Sequence, residues 1–318
     1  MVTNKSTGRI LATPDERVTV LAPRRLCLYL SEDYSETLKF FNTIDKLVFV
    51  ERKYIEIDLT QTEEITAAAS VMLFAKVTRC QGWAAPEIFA YPDQIIEFKL
   101  PINKETKSLV VKSGLWAAIK PGGIKKLERL WKDKSNPFKT GNNPAEKIRD
   151  VIGLLRHQIP KPPKKIIAAL QESYLNIAHH AYDAFTKNEE VLHEFIEGRW
   201  WQYAFHKKES GSFTVIIYDV GSGIPSTLSP LIGKRADDCE YIAEAMRKGV
   251  TRFNISGRGM GFEDIKSPID QNITADYLVV YSGRGQVIYR NGKIEDKILH
   301  DIDISGTLIE WVFKGIYK

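Results

Sequence analysis

"QESYLNIAHHAY", residues 171–182, sets Glu172, Asn176 and His180 at four-residue steps in an otherwise apolar run. On an α-helix each such step drifts by only about 40°, so the three polar groups share one stripe. Ile166, Ile167, Leu170, Tyr174 and Ile177 supply an apolar face that would pack the helix on a core. This helix is predicted to begin near Lys164, because the preceding "PKPPKK" removes backbone donors and disfavours helix. Upstream, "PAEKIRDVIGLLRHQI" reads as another helix. Taken alone, the polar stripe fits a solvent-facing row and the wall of a site equally well.

The downstream segments shift that balance. "RWWQYAF" and "SFTVIIYDV" read as two strands joined by the turn-forming "KKESGS", and the second runs directly into "DVGSGIP". After Asp219, Gly221 and Gly223 permit backbone conformations and close approaches that a Cβ would block. "GVTRFNISGRGMGFEDI" places Gly257, Gly259 and Gly261 just ahead of a predicted helix, where backbone N–H groups and a helix N-terminus can be aimed at phosphate oxygens. "ISGTLIEWVF" sets Gly306 and Thr307 at the start of a closing strand. "GRGMGF" lacks the Lys-Ser/Thr ending of a Walker loop and does not directly follow a strand, so neither a Walker nor a Rossmann site is expected.

Each of these boxes is common alone. In order, as ExxxN, DxGxG, GxGxG and GT, they resemble the GHKL ATPases, a family that includes gyrase, histidine kinases, MutL and the anti-sigma serine kinases; the likeness covers residues 143–318. It implies a Bergerat-fold α/β sandwich that binds ATP with Mg²⁺. By that resemblance Glu172 polarises the attacking water or hydroxyl, Asn176 is the Mg²⁺ ligand, and Asp219 accepts from the adenine amino group. Gly221 and Gly223 shape the adenine pocket, Gly257, Gly259 and Gly261 form the phosphate loop, and Thr307 makes a water-linked adenine contact. His180, beside the metal face, is a further ATP-binding candidate, and equally a structural histidine at the helix end. Arg252 and Arg258 are ATP-binding candidates because guanidinium forks suit phosphate oxygens, with exposed arginines as the equal alternative. Residues 224–256 would form an ATP lid, with "DDCEYIAEAMRKG" as its internal helix. His157 in "LLRHQIP" is read as structural.

The first half alternates short apolar runs with helical ones and is expected to be a small α/β domain. "RVTVLAP", "RLCLYL", "KYIEIDLT" and "PEIFAY" read as strands, and "YSETLKFFNTIDKL", "EEITAAASVMLFAKVTRC" and "KETKSLVVKSGLW" as helices. "IEIDLT", the adjoining "EEITAAASVMLFAKV" and the late "GLWAAI" resemble STAS-like domains of anti-sigma-factor antagonists. Phosphorylatable members carry a serine after an aspartate at the start of the middle helix. Thr66 and Ala67 stand where that pair aligns in this chain, so the acceptor hydroxyl is missing there; Thr66 and Ser70 are the alternative acceptors, with ordinary helix residues as the favoured reading. The expected organisation is a flexible N-terminus over residues 1–16, the STAS-like domain over 17–120, a linker rich in Lys, Asn and Pro over 121–144, and the ATP-binding domain over 145–318.

With 43% hydrophobic and 27% charged residues the 318-residue chain has a normal globular balance. A net charge of +5 is too small to mark a nucleic-acid protein. Cys27, Cys80 and Cys239 lie far apart without CxxC spacing, so free thiols are expected rather than a zinc site or disulfides. "MVTNKSTGRI" has no apolar signal core, and no run approaches the roughly 18 apolar residues of a membrane span, which predicts a cytoplasmic protein. The expected partners are ATP and a regulatory protein, with a homodimer left open. The expected function is a Mg-ATP-dependent signalling switch with slow hydrolysis. The alternatives are an anti-sigma-type serine/threonine kinase acting on a separate partner, and a nucleotide-binding scaffold without chemistry.

Overall fold

Strands β1 (Val18–Leu21), β2 (Ile55–Asp58) and β3 (Ile96–Lys99) form a parallel three-stranded sheet with β2 at its centre. The computed structural model describes residues 2–3, 10–182, 196–232, 236–247 and 261–315. In β2 the period-two sequence buries Ile55 and Ile57 and leaves Glu56 and Asp58 half-exposed, the pattern of a sheet packed on one face. Helix α1 (Ala67–Trp83) is buried along most of its length, including Val71, Met72, Leu73, Phe74 and Val77. Within it the buried ammonium of Lys76 meets the Asp45 carboxylate at 2.5 Å, and Arg79 reaches the same oxygen at 3.2 Å, so the buried charge is compensated. Thr66 precedes α1 with its hydroxyl donated to the Leu26 carbonyl at 3.3 Å, and Ser70 is buried.

Two expectations for this half change. "PEIFAY" is not a strand of the sheet. It makes only an isolated bridge at Phe89, whose ring instead packs edge-on against Tyr54 at 5.3 Å, and the third strand forms four residues after Pro92. Prolines at both ends of the run deny the ladder backbone donors and restrict the residues before them. Within residues 121–144, read as linker, the structure has helix α2 (Gly123–Lys132) and strand β4 (Phe138–Gly141). The chain divides into two compact units, residues 1–139 with 193–196 and residues 140–192 with 197–318.

The second unit is built on a seven-stranded sheet. After β4 come helices α3 (Pro144–Gln158) and α4 (Ile166–Asn176), with α4 passing into a π-turn over Ile177–Ala181. Strands β5 (Trp200–Lys207) and β6 (Ser212–Asp219) come next, then helices α5 (Gly223–Ile232), α6 (Asp238–Ala245) and α7 (Gly261–Asp270). Strands β7 (Ala275–Ser282), β8 (Gly285–Arg290), β9 (Lys293–Leu299) and β10 (Thr307–Phe313) complete it. The order is β9-β8-β7-β10-β6-β5-β4, and the pairings from β9 through β5 are all antiparallel.

Helices α4 and α7 pack together against the sheet. The Trp311 indole of β10 donates to the Ile265 carbonyl of α7 at 2.8 Å, and the Tyr174 ring of α4 lies 4.7 Å from that of Trp200 on β5. The Tyr174 hydroxyl donates to the buried Gln202 side-chain oxygen, which ties α4 to β5 on this buried face. Among the described residues no helix is long and apolar enough to cross a membrane.

Candidate functional site

The antiparallel register brings three distant residues side by side. Asp219, the last residue of β6, pairs with Thr307, the first of β10, and Thr307 pairs on its other side with Ser282, the last of β7. Asp219 is 4% exposed. Burial pushes its carboxyl up to about 7, against the pull of the backbone N–H groups of Gly221, at 2.8 Å, and Thr307, which both donate to it. Asp219 is thus an acid desolvated at a strand end, with the backbone N–H groups of Gly221, two residues on, and Thr307, on the neighbouring strand, as its donors.

Glycine is required on both sides of this residue. Gly306 sits at φ +109°, and a Cβ there would come 2.1 Å from the Asp219 carbonyl oxygen. At Gly221 a Cβ would lie 2.2 Å from the carbonyl oxygen of Ala181, so the loop after β6 runs against the end of the π-turn. There the Ser222 N–H donates to that same carbonyl at 2.7 Å. Tyr182 fastens the contact, donating its hydroxyl to the Arg199 carbonyl at 2.7 Å and accepting from the Val220 N–H at 3.4 Å. The Ser222 hydroxyl is buried and has no hydrogen-bond partner among the described residues, an orphan in the loop that borders Asp219.

Within α4, one turn before its last residue, Glu172 is half-buried with its Oε1 against Gly261, the first residue of α7; a Cβ on that glycine would sit 2.6 Å from the oxygen. Burial raises the Glu172 carboxyl above its ordinary value, the Asp264 carboxylate adds to the rise, and His179 opposes it. Helix α4 and its π-turn therefore touch both regions, Glu172 at α7 and Ala181 at the glycine loop. Nine residues separate those contacts, at most about 13.5 Å at the α-helical rise of about 1.5 Å per residue.

The expected site residues divide accordingly. Glu172 and Asn176 lie on α4, Gly261 and Gly221 abut α4 and its π-turn, Asp219 and Thr307 are paired at the ends of β6 and β10, and Gly223 opens α5 against Ser282. Asn176, half-buried, is the last residue of α4. His180 falls in the π-turn, whose wider i to i+5 closure changes the helical step, so the regular four-residue spacing holds from Glu172 to Asn176 but not onward to His180. Arg252, Gly257, Arg258 and Gly259 lie outside the described residues. His157 is exposed in the last turn of α3.

The helix expected inside the lid is docked on the sheet. The Asp238 carboxylate accepts from the Arg284 N–H at 2.7 Å and the Cys239 thiol donates to the Ile298 carbonyl at 3.1 Å. Ser282 and Tyr182 were not singled out by the sequence. Tyr182 ends the very stretch that carries Glu172, whereas nothing local marks Ser282. Among the described residues no group of three or more His, Cys, Asp or Glu side chains is arranged to hold a metal ion. A magnesium ion at Asn176 would take its remaining ligands from phosphate and water, which is how this ion is commonly held. No family model matches the chain, and no curated protein matches it.

Proposed function

We propose that the second unit is a Bergerat-type ATP-binding module of GHKL character, joined to a STAS-like α/β unit, and that the protein is a Mg-ATP-dependent regulatory switch with slow hydrolysis. The observation that carries this reading is the span of one helix between a buried acceptor end and a carboxylate end. Ala181 abuts the loop after Asp219, and Glu172 abuts the N-terminus of α7. The donor set fits the nucleotide chemically. Asp219 accepts from an exocyclic amino group, and the orphaned Ser222 hydroxyl borders the same place. Asn176 would hold Mg²⁺, which supplies charge neutralisation on the phosphates when bound.

Glu172 has one task in this scheme, to take a proton from the attacking hydroxyl as its oxygen bonds to phosphorus and the terminal phosphate leaves its bridging oxygen. Hydrolysis that depends on a single positioned carboxylate suits a timer, in which a partner protein reads whether triphosphate is still present.

Calorimetric titration with Mg-ATP and Mg-GTP tests the assignment. A carboxylate accepts from the adenine amino group but is repelled by the guanine carbonyl oxygen, so ATP is expected to bind at least about tenfold more tightly. Equal affinity for the two nucleotides would remove the adenine assignment from Asp219.

A further inference from the structure

Ser282 is fully buried at the end of β7, and its hydroxyl has three neighbours within bonding distance. It accepts from the Ile224 N–H at 2.8 Å, donates to the Gly306 carbonyl at 3.0 Å, and lies 3.0 Å from the Thr307 hydroxyl. A serine hydroxyl has one proton and two lone pairs. All three contacts are hydrogen bonds only when that proton goes to the Gly306 carbonyl, which can do nothing but accept, and the two lone pairs serve the Ile224 N–H and the Thr307 hydroxyl. The Thr307 hydroxyl must therefore donate to Ser282, which leaves it nothing but acceptor capacity toward the site. Asp219 stands beside it in the ladder, also as an acceptor.

We propose that Ser282 is a positioning residue for base selection: its saturated hydroxyl fixes Thr307 as an acceptor, so the site takes a purine with an exocyclic 6-amino group and rejects the 6-oxo counterpart. The proposal rests on the nucleotide reading above and adds a residue to it. A bridging water changes nothing in the logic. Such a water gives both protons to Asp219 and Thr307 and is left to accept from the base. The three hydroxyl contacts also join the start of α5 to the Gly306 turn, so the polarity is set by the same atoms that hold the two segments together.

Adenosine and inosine triphosphates differ at this one position, which makes them the probes. Affinities of Mg-ATP and Mg-ITP are measured by calorimetry for the wild type, Ser282→Ala and Thr307→Val, with melting temperatures in parallel. In Ser282→Ala the Thr307 hydroxyl is free to turn and donate to the 6-oxo group, so the ATP-to-ITP preference falls by about tenfold, mainly through tighter ITP binding. Thr307→Val removes the fixed acceptor from a strand position that suits valine, and lowers the preference similarly even if Ser282→Ala fails to fold. A loss of affinity that is equal for both nucleotides in both variants means a merely structural role and overturns the proposal. So does an unchanged preference in both, while a wild type that prefers ATP leaves the nucleotide reading standing. A wild type that binds neither nucleotide overturns both.

Discussion

Glu172→Ala is expected to bind Mg-ATP about as tightly as the wild type and to turn it over about a hundredfold more slowly, or worse. The carboxylate lies against the first residue of α7, half-buried, and burial together with Asp264 holds its proton affinity above the ordinary value. A carboxylate tuned upward is a better proton acceptor while it remains ionised, and a positioned general base contributes about 10²–10⁴ in rate. Nothing in this role requires contact with the base or sugar, so affinity should survive. Single-turnover hydrolysis alongside calorimetry separates the two quantities. Wild-type turnover in the variant would assign the activity to another group or to a contaminant. The raised carboxyl also sets a direction for pH: turnover should fall on the acid side as Glu172 takes up a proton, and that limb should be absent from Glu172→Ala.

Asp219→Asn should lose ATP affinity by about ten- to a hundredfold, the worth of a charged hydrogen bond in a desolvated site. The same substitution should flatten the dependence of stability on pH. The Asp219 carboxyl rises from 3.8 to about 7 on folding, so the folded state favours the neutral acid. Its contribution to stability is full below about pH 4 and is lost as pH rises through about 7, a change on the order of 4 kcal/mol. Urea denaturation of both proteins at about pH 4.5 and about pH 8 reads this directly. The wild type should lose ground to Asp219→Asn by a few kcal/mol over that interval, and parallel behaviour would mean that Asp219 titrates as an ordinary surface acid. Function and stability pull in opposite directions at this residue, as is common where a group is desolvated for a ligand.

The sequence is most informative where chemistry and local periodicity coincide. α4 was legible from the apolar spacing of Ile166, Leu170 and Tyr174, and β6 from its apolar run ending at Asp219. Ser282 was not legible, because its partners are Ile224 and Gly306, 58 and 24 residues away, and only the strand register brings them together. The third strand of the first sheet was misplaced for a related reason. "PEIFAY" has the right composition, but a short apolar run between prolines carries no information about which ladder it can join, and Ile96–Lys99 won the place. The interruption of α4 after Asn176 has no local signature either, since "NIAHHA" suits a regular helix as well as a widened turn.

That widened turn makes one stretch of the helix unlike the rest in its tolerance of length change. A turn closed from i to i+5 holds one residue more than an α-helical turn, and segments of this kind absorb an inserted residue without displacing the downstream chain. Removing His179 would let Ile177–Ala181 close as an ordinary α-turn, with Ala181 still against Ser222. Removing Leu175 instead would carry Asn176 about 100° out of line with Glu172, because no extra residue lies between the two within α4. The chain can thus shorten by one residue at the histidine pair and keep its fold, while the same deletion one turn earlier would dismantle the alignment on which the site depends.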